Sequence, residues 1–177
     1  MIGKIWDAVT DPVTGYLSDR TRTRFGRRRP YMFVGSIISF FCMGLIFTPV
    51  QLSSQALLFV YLTFLYCLLN TAYTLVNIPY AALLPELTED YYQRTILTGY
   101  RMSFAVVGTF IGAALVMPIV ASFSSATLGW SMMGTFMGAV MLFSTLATVF
   151  AITEPAHPEQ EVQTGFFTTF GEVLKEK

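Results

Sequence analysis

The chain has 177 residues, of which 54% are hydrophobic and only 12% charged, and its formal net charge is zero. A water-soluble domain carries about a quarter charged residues, so a mean hydropathy of +0.56 describes a protein whose outer surface is itself apolar and suited to lipid. So neutral and greasy a chain excludes nucleic acid as a partner, and no secretory leader is legible, because Met1 is followed at once by Lys4 and Asp7.

Five apolar segments follow one another. Residues 1–18 are mostly apolar but carry Lys4, Asp7 and Asp11, and residues 19–30 are polar and basic. The run 31–50 is uncharged and, at about 1.5 Å per residue, long enough to cross the hydrocarbon. After a short polar turn at 51–55 the run 55–85 is again uncharged, with Pro79 expected to kink its end. A polar loop at 86–93 leads to segment 94–121, the Ser-rich turn 122–127 follows, and the last span is 128–153. The tail 154–177 turns polar; its apolar residues 166–174 have roughly helical spacing, either a surface-lying helix or the approach to a further span. His157 lies in this tail beside prolines and reads as a solvated loop residue. Cys42 and Cys67 sit inside apolar runs, where a thiol behaves as a small hydrophobe.

Positive charge alternates between the connections. Loop 19–30 holds Arg20, Arg22, Arg24, Arg27, Arg28 and Arg29; Arg94 and Arg101 follow loop 86–93, and the tail carries Lys175 and Lys177. The turns 51–55 and 122–127 carry no Lys or Arg. The positive-inside rule therefore places 19–30, 86–93 and 154–177 in the cytoplasm. Gly108 with Gly112, and Gly134 with Gly138, form two GxxxG pairs, a spacing that lets helix backbones approach closely in lipid.

The first segment holds the chemistry. A charge within a membrane span costs a few kcal/mol and is a functional hypothesis by default. At about 100° per residue, Lys4, Asp7 and Asp11 fall within roughly 60° of one another, and Gly15 continues the stripe. Two carboxylates one turn apart supply oxygens to a small hard cation such as Na⁺, or carry a proton; the structural alternative is an internal Lys–Asp salt bridge, with Asp11 before Pro12 at a kink. Thr74 and Asn77 share a helix face just before Pro79, either completing an ion or sugar site or serving as interhelical hydrogen-bond glue.

The stretch Trp6-Asp7-Ala8-Val9-Thr10-Asp11-Pro12, followed by Gly15 to Pro30, resembles the second helix and following loop of the glycoside–pentoside–hexuronide:cation symporters of the major facilitator superfamily. Asn77-Ile78-Pro79-Tyr80, Leu84-Pro85, Arg94-Thr95 and Tyr100-Arg101 look like that family's fourth helix, its loop and the start of the fifth. The resemblance implies an all-α membrane protein, the superfamily's N-terminal bundle with helices 2–6 only in residues 1–153, and a central cytoplasmic loop at 154–177 in the cell (inner) membrane. A second half of the same transporter would be its missing partner, since alternating access needs both halves.

It further implies cation binding by Asp7, Asp11 and Thr74, with Na⁺ or H⁺ as coupling ion and no other cofactor, and contact with a sugar, glycoside or hexuronide by Asn77, Arg101, Lys4 and Tyr73. Asn77 stands where a galactoside-transporting member has an aspartate, and Thr10 replaces an asparagine, so a galactoside is put in doubt. The loop Gly15–Arg29 looks like the superfamily's loop between helices 2 and 3. In it Asp19, at a helix C-terminus, needs compensation by Arg20 and the cluster Arg27, Arg28 and Arg29, with Gly26 in the turn. That loop would act as a latch between facing states, or as a plain positive anchor on anionic membrane lipid. Two rival readings are a symporter for a non-sugar, since related proteins carry lysolipids, and a non-transporting membrane module. An enzyme is not indicated, because no nucleophile–base pairing is legible.

Overall fold

The computed structural model describes residues 2–21, 23, 25–50, 54–83, 87–88 and 90–152. They form five helices: α1 (Ile2–Arg20), α2 (Arg29–Phe47), α3 (Gln55–Leu83), α4 (Tyr91–Ala121) and α5 (Ala126–Ala151). Four of these, α2 to α5, are long and apolar enough to cross a membrane. The polar tail, His157, and Leu84, Pro85, Glu86 and Glu89 lie outside the described residues.

Local chemistry sets the ends of the helices. Helix α1 runs on to Arg20, so Asp19 and Arg20 extend it past the expected segment 1–18, Gly15 lies within it, and the connection to α2 is residues 21–28. The Thr21 amide continues the ladder to the Leu17 carbonyl at 3.1 Å, and a basic residue in the last turn suits the negative end of the dipole. Proline near the first position starts α2 without losing a needed donor. Helix α4 begins at Tyr91, before the expected Arg94, because the Asp90 carboxylate caps it by accepting from the Tyr92 amide at 2.9 Å. Ser125 does the same for α5, accepting from the Leu128 amide at 3.3 Å.

Helix α2 is central, packed on one side by α3 and on the other by α5; α1 lies against α3 and α4 against α5. Small residues permit the closest crossings. A Cβ on Gly35 would stand 2.8 Å from the Ala72 carbonyl oxygen of α3, and one on Gly134 would stand 2.6 Å from Phe47 Cβ of α2. The second GxxxG pair thus seats α5 on α2, whereas a Cβ on Gly108 or Gly112 would meet nothing within 4 Å.

Burial does not sort by polarity as it does in a water-soluble fold. Ser18, Ser36, Ser39, Thr74 and Thr145 are buried beside Met32, Cys42, Leu65 and Met133, while Phe41, Phe59, Phe64, Phe104, Phe110, Phe143 and Phe150 are exposed. Helix α4 has no buried residue over its length. Exposed rings of this kind cost nothing in hydrocarbon, and association there depends on close packing and hydrogen bonds instead of apolar burial. The molecule is a multi-pass membrane protein built only of helices among its described residues.

Candidate functional site

Helices α1 and α3 run parallel with a nearly constant offset, and this register assembles the polar residues of both. The Trp6 indole N–H donates to Thr71 Oγ1 at 2.7 Å, 65 residues away, and Thr74 Oγ1 donates to Asp11 Oδ1 at 2.9 Å, 63 residues away. One turn further on, Gly15 faces Ile78. Thr71 in turn donates to the Cys67 carbonyl at 2.9 Å, which holds its oxygen toward Trp6.

Thr74 is 4% exposed and Asp11 half-buried, so their bond is sheltered between the helices. Asp7 lies one turn before Asp11, also half-buried, and its Oδ1 is shut off from solvent without a hydrogen-bond partner. Lys4 is exposed, and among the described residues no ion pair joins it to Asp7 or Asp11, so the internal Lys–Asp bridge is not formed. The face that α1 buries most deeply passes through Gly3, Thr14 and Ser18, beside the Lys4 stripe, which leaves Lys4 on the rim. A buried carboxylate oxygen lacking a donor is costly and is stabilised by a cation.

A second cluster joins α3 to α4. Arg101 Nη2 donates to Asn77 Oδ1 at 3.4 Å, and its guanidinium carbon lies 5.0 Å from the centre of the Tyr80 ring. The amide and the ring, three residues apart on α3, orient the guanidinium by its edge and its face. Tyr73 is exposed on α3, one turn before Asn77. Tyr80 stands in the family-like stretch Asn77 to Tyr80 with no role implied by it; the contact with Arg101 depends on α4.

The third group follows α1. Asp19 accepts from Arg28 Nη2 at 3.0 Å and lies 4.0 Å from Arg27 Nη2, with the Arg28 side chain 7% exposed. Arg20 does not reach Asp19: it donates to the Tyr16 hydroxyl, and its guanidinium carbon lies 5.7 Å from that ring's centre. The reason is helical geometry, since Tyr16 is one turn back on the same face while adjacent residues point apart. Gly26 has φ 106°, a conformation open to glycine, and closes a tight turn in which its amide donates to the Thr23 carbonyl at 3.1 Å. That turn returns Arg27 and Arg28 toward Asp19. Arg29 begins α2.

Asn70 went unremarked in the sequence because an amide in an uncharged run looks like helix glue. It lies one turn before Thr74 on α3, and its Nδ2 is buried without a hydrogen-bond partner. Among the described residues no cluster of three or more His, Cys, Asp or Glu side chains gathers.

Comparison with known proteins places the chain in a family. Residues 1–177 match the family model for MFS/sugar transport proteins. An uncharacterized symporter of Synechocystis is 44% identical over 126 residues, 68% of this chain and 23% of that protein. The sodium-dependent lysophosphatidylcholine symporter 1-A of Danio rerio is 40% identical over 120 residues, 67% of this chain and 22% of that protein. A protein of Escherichia coli whose name assigns it glycoside/cation symport is 36% identical over 122 residues, 68% of this chain and 26% of that protein. The chain thus spans about a quarter of the length of these curated relatives.

Proposed function

This chain belongs to the MFS/sugar transport protein family, and on that premise we propose that it supplies the cation site and part of the substrate site of a cation-coupled symporter for a sugar, glycoside or hexuronide in the cell membrane. The observation that carries this reading is the α1–α3 contact, in which Thr74 holds Asp11 at 2.9 Å while the buried Oδ1 of Asp7 one turn away has no donor. Asp7, Asp11 and Thr74 bind the coupling cation; Asn77 and Arg101 face sugar hydroxyls or a uronate. Lys4 and Tyr73, both exposed, contact substrate only from the rim.

Coupling follows from electrostatics. Two carboxylates one turn apart repel each other, and enclosing them between helices raises the cost of their charge. A bound cation removes that cost, so the closed, substrate-loaded arrangement becomes populated only when both ligands are present. The second half of the transporter completes alternating access. The Asp19–Arg28 pair at the α1–α2 turn acts as a latch on that cycle, and the flanking arginines bind anionic headgroups.

In the full-length protein, Asp7→Asn and Asp11→Asn should each abolish cation-driven uptake while leaving membrane insertion intact. Uptake undiminished in both variants would sink the cation-site reading. The similarity to a lysophosphatidylcholine symporter favours a second substrate reading, for Arg101 would serve a phosphate as well as a uronate. Competition for uptake between hexuronides, glycosides and lysolipids separates the two.

A further inference from the structure

We propose that Asn70 is a further ligand of the cation, a neutral amide oxygen beside Asp7, and that the site is therefore built for Na⁺ and not for a proton. The inference rests on the cation-site reading above and deepens it.

The register of α1 on α3 places Asn70 one turn before Thr74, as Asp7 is one turn before Asp11. At that level α1 has Gly3, and a Cβ there would stand 3.0 Å from Asn70 Nδ2 and 2.7 Å from the Tyr66 ring. Helical side chains lean toward their own N-terminus and cover the preceding turn. The Asp7 carboxylate therefore leans over Gly3, into the same notch that Asn70 enters from α3. Each brings a buried polar atom without a hydrogen-bond partner, Asp7 Oδ1 and Asn70 Nδ2. Two such orphans on facing helices are rare in a folded protein and need a cause.

A cation between them supplies one. The amide turns over to present its carbonyl oxygen at little cost, because its two ends have nearly the same shape. The notch then offers Na⁺ two carboxylates, the Thr74 hydroxyl and the Asn70 carbonyl, an all-oxygen set of the kind hard cations take. A proton needs one carboxylate oxygen and at most one acceptor for the resulting O–H, so it makes no use of four converging oxygens. Gly3 has a part in this as well, since a larger residue would push the Tyr66 ring and the Asn70 amide from their places.

The test is direct binding of ²²Na⁺ to the purified full-length protein without substrate, with competition by Li⁺. Asn70→Leu should weaken Na⁺ binding about tenfold or more, the loss expected when one ligand to a buried charge is removed. Asn70→Asp, which restores an oxygen, should bring binding back, and both should alter the Li⁺-to-Na⁺ preference. Asn70→Ser, shorter but still small and polar, should fold if Asn70→Leu does not, and should also bind weakly. Wild-type affinity and ion preference in Asn70→Leu or Asn70→Ser, together with lost binding in Asp7→Asn and Asp11→Asn, would overturn the role of Asn70 alone. Undiminished binding in the two aspartate variants would overturn the cation site itself.

Discussion

Thr74 holds Asp11 through a single hydroxyl at 2.9 Å, in a place where water contributes little. A hydrogen bond to a charged group contributes about 1.5–3 kcal/mol, and it orients the carboxylate for whatever else binds there. Thr74→Val removes the hydroxyl while keeping the shape, so the cation concentration that half-saturates uptake should rise about tenfold or more. Thr74→Ser should restore most of it, and equal half-saturation in all three proteins would deny Thr74 a part in the site. The aspartates were legible in the sequence because charge inside an apolar run is conspicuous and its helical spacing is simple arithmetic. Asn70 and Tyr80 were not, because an amide or a ring within an apolar run has no charge to mark it, and their partners come from other helices. Arg20 shows the converse: next to Asp19 in sequence, it turns back along the helix to Tyr16 and leaves Asp19 to Arg28, nine residues away.

Two GxxxG pairs of identical spacing play different parts at the level of the helices. Gly134 and Gly138 let α5 touch the backbone of α2, where a Cβ on Gly134 would come within 2.6 Å of Phe47, whereas Gly108 and Gly112 on α4 face open space. The motif predicts close approach but not which helix approaches, since a neighbour chosen by the fold has no local signature. Overpacking a close contact costs about 1–3 kcal/mol. Gly134→Leu in the full-length protein should therefore lower the apparent melting temperature in detergent and the yield of monodisperse material. Gly108→Leu should leave the α2–α5 packing untouched; an equal loss in both variants would show that Gly108 also meets a helix in the whole protein. Helix number and order were readable from hydropathy, because lipid demands long uncharged runs. The ends moved by a few residues where a cap, Asp90 before α4, or a continuing backbone ladder, Thr21 after α1, outweighed composition.

For the molecule as a whole, the distribution of charge ties fold to orientation. The 21–28 connection and the start of α4 carry the arginines, and they lie at the same end of the bundle, because each span reverses the direction of the last. Ser122 to Ser125, between α4 and α5, lie at the other end with no Lys or Arg. Positive charge resists translocation, so the arginine-rich end should be cytoplasmic. The Asp19–Arg28 pair strengthens this expectation: it ties the turn into a compact unit with a 7% exposed guanidinium, so the turn would cross a membrane only with that charge still enclosed. Single cysteines at Thr23 and Ser124, both in exposed turns, test it in a cysteine-free background of the full-length protein. A membrane-impermeant maleimide added to intact cells should label Ser124→Cys and spare Thr23→Cys, and permeabilised cells should label both. Labelling of both positions from outside would break the alternation of the spans. Labelling of Thr23→Cys alone would invert the protein and put the proposed latch on the face opposite to the one its charge favours.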